Sequence, residues 1–457
     1  MTEALIHAGK FEDTYFILDV ESGALHEVDE LTYEIGRFME HGDLSAAAAK
    51  KLTETYDKKE IAEVLSEFME LKNEGLLFTK PAADASTPVF NDPCIKSLCL
   101  HIAHDCNLRC SYCFADDGTY KGEKGLMTKE VAHAALDFLI KESRGRKHLE
   151  VDFFGGEPLI NFDVVKDAVE YGRELEKKSG KVIRFTMTTN AYHVTDEMVD
   201  FINREMTNLV ISIDGRKEVH DAARKNAAGK GSYDSVMKNA KKLIAGRGDR
   251  EYYIRGTYTK NNLDFCEDVA AIVGEGFDQL SLEPVVTDDE RLMLNLADIP
   301  QIKAEYEKLG RMTEQYRSEG RPFNFFHFMI DFEGGPCLNK RLRGCGAGLE
   351  YAAITPFGDI YPCHQFVGKE GFCMGNVLTG QFDPHVADPF ADCHIMNKPG
   401  CKRCFAKYFC SGGCAAAAYN ANGDIMKPND VSCAIMKARL DTAIGLYIRK
   451  KNANALN

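Results

Sequence analysis

The cysteines are the residues of this chain with the greatest capacity for chemistry, and three of them are spaced as ligands of one metal cluster. Cys106, Cys110 and Cys113 form a CxxxCxxC motif directly after an apolar stretch. Three thiolates at this spacing can hold three irons of a [4Fe–4S] cube, which leaves the fourth iron open to a substrate or cofactor. The alternative is a zinc knuckle, because His101 and His104 could complete a tetrahedral site.

A second group of cysteines lies toward the C-terminus. Ten of the sixteen cysteines fall between Cys337 and Cys433, in a segment rich in Gly and Pro with few long periodic runs. Such a segment buries little apolar surface, and bound metal can supply the missing order. Iron–sulfur ligation is one interpretation, and a pair of zinc sites is the other. The remaining cysteines are predicted to be small buried residues, with some scope for redox or ligand roles at the last two: Cys94, Cys99, Cys266, Cys373 and Cys393.

The middle of the chain alternates strand-like and helix-like segments. Six apolar stretches are predicted to be strands, and an amphipathic stretch follows each of them. This order predicts an α/β fold with a parallel sheet closed partly into a (β/α)6 barrel, which places chemistry at the C-terminal ends of the strands. The six candidate strands are residues 98–103, 149–154, 182–188, 209–214, 252–259 and 279–283.

The first 80 residues are predicted to be a separate small module. Residues 15–20 and 25–28 are predicted to form a hairpin around the turn at 21–24, helical periodicity follows, and residues 76–78 are a candidate third strand. The polar, proline-bounded stretch 81–93 is typical of a linker. We therefore expect the module at 1–80, the barrel at 94–330 and a loop-rich domain at 331–457.

Bulk properties exclude some partners. The formal net charge of −14 argues against nucleic acid, because phosphate backbones are bound by clustered Lys and Arg. No apolar run approaches the roughly 20 residues that cross a bilayer, so no membrane span is expected. The N-terminal residues lack an export signal, which predicts a cytoplasmic protein with reduced thiols.

The cysteine motif, set at the end of the first barrel strand, resembles that of the radical S-adenosylmethionine (SAM) superfamily. Residues 154–158 (FGGEP) resemble the family segment that receives the SAM amino group. Later strand ends match positions that bind the methionine carboxylate and ribose, and a tyrosine in the motif would stack near adenine. The positions concerned are Tyr112, Gly155, Gly156, Glu157, Pro158, Asn190, Ser212, Asp214 and Arg255. The resemblance implies reductive SAM cleavage to a 5′-deoxyadenosyl radical, which abstracts a hydrogen from the substrate.

The C-terminal cysteines resemble the seven-cysteine SPASM extension in order and spacing. By that resemblance Cys345, Cys363 and Cys414 ligate one auxiliary [4Fe–4S] cluster, so that the chain carries three clusters. Cys337 either closes this cluster or leaves an iron open to a substrate thiolate. The second auxiliary cluster would be held by Cys401, Cys404, Cys410 and Cys433.

The whole chain resembles maturases of SCIFF peptides, which contain six cysteines in forty-five residues. The resemblance rests on residues 344–348 (GCGAG), residues 361–366 (YPCHQF) and the N-terminal segment. That segment resembles a winged-helix recognition module that binds a precursor's leader as an added strand. A DNA-binding winged helix is the alternative, and the acidic residues of the segment weigh against it: Glu21, Glu27, Asp29, Glu30 and Glu34.

The resemblance implies thioether formation between a cysteine sulfur and an acceptor carbon of a Cys-rich precursor peptide. A flavodoxin- or ferredoxin-type donor would supply the electron. The alternative is a SPASM enzyme that oxidises a side chain, such as an anaerobic sulfatase-maturating enzyme. Such enzymes have an acidic residue after the second motif cysteine, where this chain has His364, which is a candidate base or a structural histidine. A scaffold protein with purely structural clusters has no use for an open-iron triad.

Overall fold

The protein was analysed as a computed structural model, which describes residues 4–40, 44–80, 94–334 and 338–455. An antiparallel sheet of order β1-β2-β3 opens the chain and is followed by three helices. These elements are β1 (Ile6–Phe11), β2 (Thr14–Asp19), β3 (Leu25–Val28), α1 (Glu30–Phe38), α2 (Ala46–Leu52) and α3 (Lys58–Asn73). The predicted hairpin is confirmed, with Tyr15 opposite Val28. The predicted third strand at 76–78 is wrong, because Leu77 and Phe78 pack into the core of this module and β1 supplies the third strand.

A large sheet forms the centre of the molecule, with strand order β13-β12-β11-β9-β8-β7-β4-β14-β15-β16-β17. The strands between residues 94 and 330, which include β5 and β10 of a separate two-stranded sheet, are the following. They are β4 (Ser97–His104), β5 (Leu108–Cys110), β6 (Gly125–Leu126), β7 (His148–Gly155), β8 (Val182–Thr189), β9 (Met206–Ser212), β10 (Arg224–Asn226), β11 (Glu251–Tyr258), β12 (Gln279–Pro284) and β13 (Asn324–Phe325). The six predicted strands are confirmed as β4, β7, β8, β9, β11 and β12, and adjacent members of this set pair in parallel.

Helices cover one face of this sheet. They are α4 (Lys129–Glu142), α5 (Phe162–Ser179), α6 (Asp196–Glu205), α7 (Lys217–Ala223), α8 (Tyr233–Ala245), α9 (Phe265–Gly274) and α10 (Ile299–Ser318). Leu149, Val151 and Phe153 of β7 are fully buried in the core that includes these helices. Because side chains alternate along a strand, Asp152 and Phe154 lie on the opposite face, called the inner face below.

The C-terminal segment continues the same sheet. Its elements are α11 (Leu338–Arg343), β14 (Tyr351–Ile354), β15 (Asp359–Tyr361), β16 (Gly375–Asn376), β17 (Gln381–Phe382), α12 (Asp388–Asp392), α13 (Pro399–Lys402), α14 (Lys407–Cys410), α15 (Ala415–Asn422) and α16 (Asp430–Ala455). β14 pairs in parallel with β4, with Tyr351 opposite Ser97. The long helix α16 packs against α10 and against β1 and β2 of the N-terminal module.

A satellite core joins the N-terminal module to the C-terminal segment. Phe16 and Leu18 of β2 pack with Ala406, Leu440 and Ile444 in one apolar cluster. The module is therefore packed onto the loop before α14 and onto α16. Among the described helices, none has the length and apolar character needed to cross a bilayer.

Candidate functional site

The cysteine triad lies in the loop that leaves the C-terminal end of β4. Cys110 ends β5, which is held in place by antiparallel pairing with β10, where Arg224 is its partner. Burial raises the pKa of the Cys106 and Cys110 thiols to about 12. Thiolates are the metal-binding form of cysteine, so cluster assembly on this loop must displace protons from buried thiols.

The glycine pair after β7 allows close packing against the chain that enters the triad. A Cβ on Gly155, which has φ +117°, would lie 2.4 Å from the carbonyl oxygen of Ala103, and one on Gly156 would lie 2.1 Å from that of Asp105. The Gly156 N–H also donates to Ala103 O at 2.8 Å. A side chain at Gly155 would therefore displace Ala103, and one at Gly156 would displace Asp105, the residue directly before Cys106.

The carboxylate of Glu157 connects the ends of β7 and β8. Its oxygens accept hydrogen bonds from the Leu159 N–H at 3.0 Å, the Thr189 hydroxyl at 2.7 Å and the Asn190 N–H at 2.7 Å. Burial raises the pKa of this carboxyl to about 7. In the structure Glu157 thus positions neighbouring backbone, and Pro158 begins the short 3-10 helix that follows.

Asn190 reaches from the end of β8 to the triad loop. Its side-chain amide donates to Asn107 Oδ1 at 2.8 Å and lies 3.5 Å from Cys106 Sγ. The predicted SAM-binding position at the end of the third strand is therefore next to the cysteines, as a ligand bound at an open iron would require.

A buried charged network holds Tyr112 of the motif. The Tyr112 hydroxyl donates to Asp214 at 2.7 Å, and the Arg224 Nε lies 3.0 Å from the same carboxylate. The Thr257 N–H donates to Asp214 at 3.0 Å. The Arg224 guanidinium also lies over the Tyr112 ring, 5.4 Å from its centroid. Asp214 and Tyr112, both predicted SAM contacts, are thereby brought together by an arginine that the sequence analysis missed.

The inner face carries the other predicted contacts and a polar cluster. Ser212 on β9 is directly opposite Arg255 on β11. Asp152 on β7 accepts a hydrogen bond from Thr186 at 2.9 Å, and burial raises its pKa to about 6 while the charge of Arg255 opposes the shift. Asp152 was not among the predicted site residues, although a carboxylate between the apolar residues Val151 and Phe153 would have been its signal.

The second cysteine set adjoins the inner face. Burial raises the pKa of the Cys363 thiol, and the charges of Cys345 and Cys414 add to the rise. Cys345 and Cys414 are exposed. Cys337, the fourth candidate, lies outside the described residues.

His364 connects this set with the end of β7. Its Nδ1 lies 3.0 Å from the Tyr351 hydroxyl and 3.8 Å from Cys363 Sγ. Its ring centroid is 5.1 Å from that of Phe154 and 5.6 Å from that of Phe114, the neighbour of Cys113. Burial lowers the pKa of His364 to about 4, so the imidazole is neutral at neutral pH.

The two histidines that could complete a zinc knuckle bond to each other. His101 Nδ1 lies 3.0 Å from His104 Nε2, and both rings pack against Tyr120. Among the other cysteines, burial is confirmed for Cys99, Cys266 and Cys393. Cys94 is partly exposed. The prediction of burial is wrong for Cys373, which lies between β15 and β16 and is exposed.

The third cysteine set surrounds a cavity of about 220 Å³, and all four of its predicted ligands line it. They are Cys401, Cys404, Cys410 and Cys433. In the part of the chain that the structure describes, no three His, Cys, Asp or Glu side chains are close enough to hold a single metal ion. Four thiols around this volume fit a multi-iron cluster, whose ligands in proteins are cysteine thiolates.

Comparison with known proteins agrees with this geometry. Residues 100–261 match the model of the radical SAM superfamily. This part of the chain is therefore similar to radical SAM enzymes, and maturating enzymes are among the relatives of the chain. A cysteine-type anaerobic sulfatase-maturating enzyme of Clostridium novyi is 26% identical over 340 residues, covering 70% of this chain and 88% of that protein. The radical SAM cyclopropyl synthase TigE of Paramaledivibacter caminithermalis is 20% identical over 461 residues, covering 94% and 92%.

Solved structures share the fold. Streptococcus suis SuiB bound to its precursor peptide SuiA superposes with a TM-score of 0.53 and 18% identity, covering 94% of this chain and 99% of SuiB. The overlap therefore extends beyond residues 100–261 to most of the chain.

Proposed function

We propose that this protein is a radical SAM maturase that forms thioether crosslinks between cysteine sulfurs and acceptor carbons in a Cys-rich precursor peptide of the SCIFF kind. The observation that carries the proposal is the contact of His364 with both Phe114 and Phe154. It brings the Cys363 set beside the triad at the inner face. A cysteine thiol of the substrate peptide, bound at the Cys363 set, would lie next to the acceptor carbon that loses its hydrogen.

Different residues of the chain would hold the cluster, bind SAM and position the loop that carries the cysteine triad. Cys106, Cys110 and Cys113 would hold the SAM-binding [4Fe–4S] cluster, which would supply the electron for reductive cleavage of SAM and so the radical chemistry at the substrate. Asn190 and Asp214 orient the triad loop through the contacts described above.

The remaining predicted SAM contacts are on β9, on β11 and at the end of β7. Ser212 and Arg255 are neighbours on the inner face and would bind its carboxylate and ribose. Gly155 and Gly156 allow the chain after β7 to pack directly against residues 103–105, which precede Cys106. The resemblance implies two further [4Fe–4S] clusters and a flavodoxin- or ferredoxin-type donor, and we include both in the proposal.

The N-terminal module would bind the leader of the precursor. Within the described residues, β3 pairs on one side only, with β2. The opposite end of this sheet, β1, packs on α16. An extended peptide would therefore add beside β3, where main-chain hydrogen bonds give affinity and side-chain pockets give selectivity. The likeness to SuiB, whose structure was solved with the precursor peptide SuiA bound, supports this assignment.

Thiol counting on the product tests the proposal. A short Cys-rich peptide is incubated anaerobically with the enzyme, SAM and dithionite, then reduced and alkylated. Each thioether removes two hydrogens and one alkylatable thiol, and it stays closed under reductant, whereas a disulfide reopens. Loss of mass with every thiol retained would contradict thioether formation. A peptide with its cysteines replaced by Ser is the matched control.

Side-chain oxidation is the second candidate, and the sulfatase-maturating relative favours it. The same experiment separates the two. A carbonyl formed from an alcohol side chain removes two hydrogens but leaves every thiol reactive, whereas a carbonyl formed from a cysteine replaces its sulfur by oxygen, a mass change that a thioether cannot give. Hydrazide labelling of the product would then reveal the carbonyl.

A further inference from the structure

An ion pair links the N-terminal module to the four-cysteine cavity. Lys407 lies between Cys404 and Cys410, lines the cavity and is 2% exposed. Its ammonium pairs with the carboxylate of Glu21, in the turn between β2 and β3. The Tyr408 hydroxyl donates to the same carboxylate at 2.9 Å.

Lysines outnumber carboxylates around this cavity. Lys437 lines it as well, and the buried Lys398 donates to the carbonyl oxygen of Gly412, another lining residue, at 3.0 Å. Asp430 is the carboxylate among the lining residues. A cluster in this cavity would therefore have positive charge fixed close to it, and burial limits the screening of that charge by water.

The position of Glu21 is fixed by the packing of the whole module. His7 stacks on Phe405, the residue after Cys404, with 3.4 Å between ring centroids. Phe16 and Leu18 of β2 pack with Ala406 in the satellite core. The carboxylate is thus held by a rigid contact, so that its charge acts on the cavity at a constant distance.

We propose that the Glu21–Lys407 pair sets the reduction potential of the cluster held by Cys401, Cys404, Cys410 and Cys433, so that a residue of the N-terminal module tunes the redox chemistry of that cluster. This inference rests on the proposed function for the cluster itself. Reduction adds one electron and no bond changes, so a nearby positive charge favours the reduced cluster and a negative charge disfavours it.

Opposite charge changes should shift the potential in opposite directions. Glu21→Gln leaves the Lys407 charge uncompensated and raises the potential, whereas Lys407→Met leaves the carboxylate and lowers it. We expect at least a tenfold change in the reduced-to-oxidised ratio at fixed potential, which is 59 mV for one electron. Lys407→Arg keeps the charge and should behave as the parent.

The experiment is an EPR redox titration of the full-length, cluster-loaded protein, following the signal that disappears in a Cys401→Ala chain. Glu12→Gln is the matched control, because Glu12 lies in the other turn of the same sheet and pairs with Arg311. Iron content is measured in parallel. If Lys407→Met loses iron, the inference is judged on the potential of Glu21→Gln alone, because Glu21 does not line the cavity.

Shifts of opposite sign with an unmoved control support the inference. Full iron content with unmoved potentials, or with shifts of the same sign, overturns it and leaves the proposed function intact. Absence of iron at these cysteines in the parent protein would overturn the cluster assignment and this inference together.

Discussion

His7 of β1 hydrogen-bonds Asp441 of α16, with 2.7 Å between Nε2 and Oδ1. The other ring nitrogen, Nδ1, lies 3.5 Å from a Glu40 oxygen. These two carboxylates outweigh the opposing effect of burial and raise the pKa of His7 above 6.5. The contact between the first strand and the last helix therefore includes a charged imidazole at mildly acidic pH.

Docking of the N-terminal module is expected to weaken as pH rises. Because the folded pKa of His7 lies above its unfolded value of 6.5, the stability it contributes is complete below that pH and is lost as pH rises through the folded pKa. The difference in Tm between the parent and His7→Gln should be largest below about pH 6.5 and should shrink above it. His385→Gln, at an exposed histidine, is the control. A difference that is constant with pH would contradict the prediction.

The glycine pair offers a direct test of the triad loop. Gly156→Ala should displace Asp105 and Cys106, destabilise the protein by about 1–3 kcal/mol and remove iron from the triad. Gly274→Ala, at the open end of α9, should be neutral or slightly stabilising. Thermal unfolding and iron analysis check both variants. Full iron content in Gly156→Ala would show that the loop tolerates the shift.

The sequence predicted what depends on local pattern. The six parallel strands follow from apolar periodicity, and the resemblance to the SPASM extension implied the cysteine set that surrounds the 220 Å³ cavity. The sequence did not predict which surfaces meet. Glu21 and Lys407 are far apart in the chain, and the addition of β14 beside β4 is equally non-local. Periodicity reports one element at a time, so such pairings are invisible to it.

The module boundary illustrates the same limit. The composition of residues 81–93 favours a detachable module at 1–80, and the sequence alone predicts that SAM cleavage would survive its deletion. In the structure, Ala406, Leu440 and Ile444 pack against β2. Deletion would expose this apolar surface beside the cysteine cavity, so point substitutions are the sharper tests of leader binding.

Arg224 is expected to be the most sensitive residue outside the cysteines. Arg224→Met leaves the buried carboxylate of Asp214 without its cation and should cost about 3–5 kcal/mol of unfolding free energy. It also removes the group that lies over Tyr112, so SAM binding should weaken. Urea unfolding and SAM titration provide the readouts. Lys217→Met, in an exposed ion pair with Asp234, should have no measurable effect. Equal stability of the two variants would contradict the buried network.

Iron content should distinguish the cysteine triad from the other two cysteine sets. Replacing Cys106, Cys110 and Cys113 together by Ala should abolish SAM cleavage and retain about two-thirds of the iron, because the other two sets lie outside the β4 loop. Cys266→Ala, at a buried cysteine of α9 outside all three sets, should keep all the iron and cleave SAM. Anaerobic iron and sulfide analysis is paired with measurement of 5′-deoxyadenosine. SAM cleavage by the triple variant would show that another cysteine set holds the SAM-binding cluster. Zinc as the main metal in the parent would show that the three sets are structural zinc sites and not iron–sulfur clusters.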